Sequence, residues 1–281
     1  MIARREFLAA SAASLACGRA AFAQVSRLTL GGSLEQGSLV IGRSEPGAHV
    51  KYNDAPLLVS AEGGFAFGFS YDEIAPARIV ARFADGTTQS RSVSPLVRHY
   101  EVQRITGLPE KFVTLPPEIL ERRKREVSMI AAARNIDSNT DWYMEKFDWP
   151  AAGIVSGVFG SERILNGKPM EPHFGVDIAV RTGAPISAPA RARVALAGPD
   201  FYLEGGLTIL DHGHGVTTCY LHQSRQHVKD GDIVARGQLI GEVGMTGRAT
   251  GPHLHWGMNW FQMRLDPSRS TRTPAPTPAK P

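Results

Sequence analysis

Between residues 147 and 267 the apolar runs are short, and glycine or proline stands at nearly every junction: "GIVSGVFG", "GVDIAV", "APISAPARARVALAG", "GLTILDHG", "GVTTCYLH", "GDIVARGQLIGEVG", "GPHLHWGM". Breaks this dense leave little room for helices, whereas tight turns between strands use the backbone freedom of glycine. The expected fold class of this stretch is therefore all-β.

The residues upstream read differently. From 24 to 108, short alternating segments such as Phe65/Phe67/Phe69 and Ile79/Ala81/Phe83 are punctuated by the turn pairs Asn53-Asp54 and Asp85-Gly86. Alternation with period two means half-buried strands, and their number favours an immunoglobulin-like β-sandwich serving as a spacer or docking module. Residues 109–146 are expected to form a helical linker. Pro116-Pro117 opens it, Leu120, Val127, Ile130 and Ala131 fall at helical spacing, and the charged run Glu121 to Glu126 is read as a solvated face. The last residues, 268–281, are rich in Pro, Thr and Ala without hydrophobic periodicity and are expected to be disordered.

Residues 1–23 carry paired arginines (Arg4, Arg5), a small apolar run and Ala21-Phe22-Ala23 ahead of Gln24. This is the pattern of a signal peptide of twin-arginine type, which places the mature chain in the periplasm or another extracytoplasmic space. No later run reaches the roughly 20 apolar residues of a membrane helix, so no stable membrane anchor is expected. The whole chain has 31 basic and 27 acidic residues; without Arg4, Arg5, Arg19 and Glu6 the balance is 28 against 26, a net charge of +2. With no concentrated basic stripe, nucleic acid is not an expected partner. Cys219 is then the one cysteine left, so no internal disulfide is available, and its strand-like setting reads as small and buried.

Seven of the nine histidines lie between His173 and His255. On a strand, alternate side chains share a face, so His253 and His255 project side by side. The H-x-x-x-D segment His173 to Asp177 would likewise bring both ends to one face, with Gly175 leaving room between them. Two imidazole nitrogens and a carboxylate oxygen form a donor set that suits zinc with an open coordination position.

In sequence order, "PHFGVDIAV", "TILDHGHGVTTCYLHQS", "VKDGDIVARGQLIGEVGMTGRATGPHLHWGM" and "RLDP" resemble the lysostaphin-like, LytM-type zinc endopeptidases of bacterial cell walls, from Val158 to Pro267. The resemblance implies a glycine-rich β-domain spanning 147–267 that binds one Zn2+ per chain and hydrolyses peptide cross-links or stem peptides of peptidoglycan. Carried over by position, it makes His173, Asp177 and His255 the metal ligands and gives His222 and His253 catalytic roles, with the general base of the two left open. Arg163 and Asn166, in "SERILNGKP", are candidates for lining the substrate groove. His212 and His214, in the turn "DHGHG", are assigned to turn geometry or solvent contact and given no ligand role. The rival reading is a non-catalytic LytM-type activator of a cell-wall amidase, and a regulatory protein partner is compatible with either. Retention of all five positions speaks against the rival.

Overall fold

The computed structural model describes residues 26–106 and 115–276. The expected signal segment, the linker residues 107–114 and the last five residues of the tail lie outside the described residues. The chain is mostly β-sheet. No helix of the described residues is long and apolar enough to cross a membrane.

In the N-terminal half, strands Leu28–Gly32, Leu39–Ser44 and Gly64–Gly68 form one antiparallel sheet. Strands Ala55–Leu57, His49–Tyr52, Ala77–Arg82 and Thr88–Val93 form a second. Ala77–Arg82 shows why: Ala77, Ile79 and Ala81 are buried and the residues between them are not. They meet Val40, Phe65 and Phe67 of the other sheet in a shared core, a two-sheet sandwich. Asn53 and Asp54 both take positive φ (45° and 69°) in the tight turn from His49–Tyr52 to Ala55–Leu57, a conformation that Asn and Asp tolerate better than most residues.

The C-terminal half is built on an antiparallel sheet whose order is Ile233–Val234, Ala192–Phe201, Gly205–Asp211, Val216–Gln223, His253–Trp260, Val176–Ala179 and Ile154–Gly157. Along one edge of His253–Trp260 the partner is Val216–Gln223. Along the other it is first Val176–Ala179 and then Met263–Leu265. Leu254, Trp256 and Met258 enter the main core beside Ile178 and Tyr220. Strand alternation therefore turns His253, His255, Gly257 and Asn259 to the opposite face, and this face carries the site.

The two halves pack directly on each other. Leu39 and Ala66 belong to the C-terminal core, the Tyr52 ring lies 5.4 Å from that of Trp260, and Arg98 pairs with the buried Asp266 at 3.0 Å. Strand Val102–Ile105 also pairs in parallel with Glu162–Leu165, one arm of a hairpin completed by Lys168–Met170.

Two expectations need correction here. The helix runs from Leu120 to Arg134, but its buried residues are Arg123, Glu126, Ile130 and Ala133, while Leu120 and Val127 are exposed. The charged run is thus not simply a solvated face. Arg123 donates to Glu126 at 2.6 Å and to both oxygens of Glu204 at 2.7 and 3.1 Å, and Arg122 holds the other Glu126 oxygen at 2.7 Å. Charges paired in this way can be taken out of water. The tail, in turn, is ordered at its start. Asp266 caps a 3-10 turn over Pro267–Ser270 by accepting from the Ser268 N–H, and Phe147 donates its N–H to the Ser270 carbonyl and accepts from the Arg272 N–H.

Candidate metal centre

His173 lies in the extended segment before strand Val176–Ala179 rather than on it, which corrects the shared-strand argument for the H-x-x-x-D motif. The two residues still converge, because His173 is pinned from elsewhere. Its N–H donates to the Ser161 carbonyl, and its Nδ1 donates to the Val158 carbonyl at 3.1 Å, fixing the tautomer with Nε2 as the free donor atom. Asp177 stands directly opposite His255 in the strand register.

The three donor atoms close on one another. His173 Nε2, His255 Nδ1 and Asp177 Oδ1 are mutually 2.9 Å apart. Three such atoms form a triangle small enough for one ion at about 2.1 Å from each, the usual zinc–nitrogen and zinc–oxygen distance, so the donor set fits zinc. His173 is 1% exposed, and Asp177 and His255 are only partly so. Burial alone would raise the Asp177 carboxyl, but hydrogen bonds with His173 and His255 and their proximity hold it well below the ordinary range.

Gly175 does more than leave a gap. A Cβ there would come within 2.5 Å of His255 Nε2 and 2.8 Å of the Trp256 carbonyl. A Cβ at Gly157 would fall 2.6 Å from Asp177 Oδ2. The ligand side chains occupy the volume that these two glycines vacate.

Two further imidazoles border the triad. His253 Nδ1 donates to the Gly251 carbonyl at 2.8 Å, leaving Nε2 at 3.8 Å from Asp177 Oδ1. His222 Nδ1 donates to the Thr246 carbonyl at 2.8 Å, and its ring centre lies 4.8 Å from that of His253. In both rings the carbonyl fixes the proton on Nδ1, so each Nε2 is a proton acceptor. Burial, with the neighbouring His253 and His255 rings, pushes His222 down to about 3. His222 has φ +64°, a costly conformation for a residue other than glycine.

The remaining candidates sort differently. Asn166 stands at the tip of the Glu162–Leu165/Lys168–Met170 hairpin with φ +48°, followed by Gly167 at +84°, the pairing of a tight hairpin turn. Arg163 pairs through its backbone with Met170, which borders the groove beside the triad. His212 and His214 are buried, not solvent-facing: His212 bridges the Arg191 carbonyl and Thr218, and His214 meets the Tyr143 hydroxyl at 3.1 Å. Cys219 is buried, as expected. Sequence reasoning missed the carbonyls of Val158, Thr246 and Gly251, since any residue supplies a carbonyl and no side chain signals it.

The model of peptidase family M23 matches residues 171–267, which contain all three donors and both bordering histidines. The chain carries a peptidase family M23 domain. Over 89 residues it is 42% identical to the peptidoglycan DD-endopeptidase ShyA of Vibrio cholerae, covering 32% of this chain and 20% of that protein. Over 189 residues it is 40% identical to ShyB of the same organism, covering 67% of this chain and 40% of that protein. The chain thus spans well under half the length of these curated relatives. The likeness extends beyond the M23 segment to a crystal structure from Pseudomonas aeruginosa described as a peptidase M23. That structure matches with TM-score 0.65 and 29% identity, over 84% of this chain and 94% of the other.

Proposed function

We propose that the protein is a zinc-dependent endopeptidase that hydrolyses peptide cross-links or stem peptides of peptidoglycan outside the cytoplasm. The observation that carries this reading is the triangle of His173, Asp177 and His255 donors with two further imidazoles beside it, each anchored through Nδ1. A purely structural cluster has no need of two extra rings with Nε2 held free. The names of the relatives, peptidoglycan DD-endopeptidases, supply the substrate class.

His173 Nε2, Asp177 Oδ1 and His255 Nδ1 would hold the ion. When bound, zinc acts as a Lewis acid toward a carbonyl and brings the pKa of a water toward about 7. The chain's own part is proton traffic. A neutral Nε2 of His253 or His222 accepts the proton that the attacking water gives up, and the protonated ring then returns it to the leaving amine. The ring that has taken up this proton carries an Nε2–H, which can hydrogen-bond the oxyanion as charge develops before the proton passes on. The Gly251 and Thr246 carbonyls keep both rings in the tautomer this requires.

Digestion of purified sacculi by the zinc-loaded chain, with products identified by mass spectrometry, tests the reading. Soluble muropeptides bearing new peptide amino and carboxyl termini are expected. Release of nothing, together with stimulation of an added amidase, would replace it with the activator reading.

A further inference from the structure

The groove beside the triad, about 630 Å³, is walled on one side by helix Leu120–Arg134, which lies outside the M23 segment. Four arginines (Arg123, Arg134, Arg248, Arg264) and two glutamates (Glu171, Glu204) line it. Glu204 is already engaged, with both oxygens on Arg123, and Glu171 is exposed at the edge. Among the described lining residues guanidinium groups thus outnumber carboxylates four to two.

Arg134 and Arg264 are the unusual members. Both are half-buried and close enough to repel each other, and desolvation lowers both pKa values, Arg134 to about 10. Arg134 rests against the Cys219 thiol, and its Nε is buried with no hydrogen-bond partner. Arg264 donates to Asn259 at 3.2 Å, and among the described residues no carboxylate forms an ion pair with either guanidinium. Glu204 acts on both charges and Glu171 on Arg264 from a distance, but two half-buried like charges with no directly paired carboxylate remain costly unless a ligand supplies one. The helix C-terminus, where Arg134 is the last residue, offsets only part of that cost.

Their position relative to the triad is set by the sheet. His255, Gly257 and Asn259 follow one another on one face of strand His253–Trp260, with Cys219 opposite Gly257. Each step of two residues covers about 7 Å, so Asn259 and the Arg264 it anchors lie about 13 Å along the groove from His255. Side-chain reach shortens this, and an extended peptide would present a group there about two to four residues from the bond being cut.

We propose that Arg134 and Arg264 form a carboxylate-binding subsite, through which the helix preceding the M23 segment completes the recognition of an acidic peptide. This rests on the peptidase reading for its substrate but not for its binding chemistry. Planar guanidinium forks suit a carboxylate, whether it comes from a side chain or from a chain terminus.

The test uses the zinc-loaded full chain and synthetic stem-peptide dimers in three forms: all carboxylates free, side-chain carboxylates amidated, and terminal carboxylates amidated. Cleavage kinetics and binding of fluorescently labelled copies are measured in parallel. The wild type should favour the free acid by about tenfold or more in binding and in KM over at least one amidated form, the scale of a charge-assisted pair. Arg134→Gln and Arg264→Gln should bring that ratio close to one, with Arg134→Lys retaining part of it, and melting curves should show all variants folded. Equal binding of all three peptides by the wild type, or an undiminished ratio in folded Arg134→Gln, overturns the subsite. Acid-selective binding without cleavage would leave the subsite standing and remove the peptidase reading, whereas cleavage without selectivity would do the reverse.

Discussion

At the residue scale, the two histidines of His253–Trp260 share a face but have different surroundings. His255 closes the donor triangle at 2.9 Å, while His253 is tied to Gly251 and faces Asp177 at 3.8 Å. His255→Ala should therefore lower zinc occupancy after dialysis. His253→Ala and His222→Ala should keep about one zinc per chain and lose wall-degrading activity by a factor on the order of 10² or more. Metal analysis and sacculus turbidity on the same preparations check this, and loss of zinc from His253→Ala would make His253 a ligand. His212 gives a separate pH signature. Burial lowers it from 6.5 to about 4 in the folded chain. Its neutral form stabilises the fold fully above the unfolded value, and that contribution is lost as pH falls from about 6.5 toward 4. Melting temperatures between pH 7.5 and 4.5 should fall less steeply for His212→Gln than for the wild type; parallel curves would contradict the assignment. The sequence made the donor types legible, through H-x-H and H-x-x-x-D. It concealed that His173 stands off the strand, because its position is set by the Val158 and Ser161 carbonyls.

At the scale of elements, the glycine-punctuated runs read correctly as strands because period and turn chemistry are local. The linker helix was legible as a helix but not in its orientation. Its inward face is decided by Glu204, about 80 residues away, which makes Arg123 and Glu126 satisfiable in a buried setting. A periodicity argument assigns such residues to water, and the ionic partner is invisible until the fold exists. Arg123→Ala would leave Glu204 without its paired donor and strip one of three from Glu126. The expected loss is on the order of 3 kcal/mol, as for breaking a buried pair by removing one partner. Denaturant titration measures it; a change below about 0.5 kcal/mol, typical of exposed pairs, would mean that the network is solvated.

At the scale of the whole molecule, the sandwich and the M23 half share packed side chains, a relation that neither half's own pattern announces. All four tryptophans lie in the C-terminal half, whereas Leu39, in the sandwich, is buried in the C-terminal core. Leu39→Ala should therefore lower the melting transition seen by tryptophan fluorescence, with a cost of about 2–4 kcal/mol. An unchanged tryptophan transition would show that the halves melt independently. The full chain also offers the most direct test of zinc-dependent hydrolysis. Stripped with a chelator, dialysed and titrated with zinc, it should release no muropeptides from sacculi when metal-free and recover release in proportion to zinc, saturating near one ion per chain. Undiminished release from the stripped protein would contradict the account.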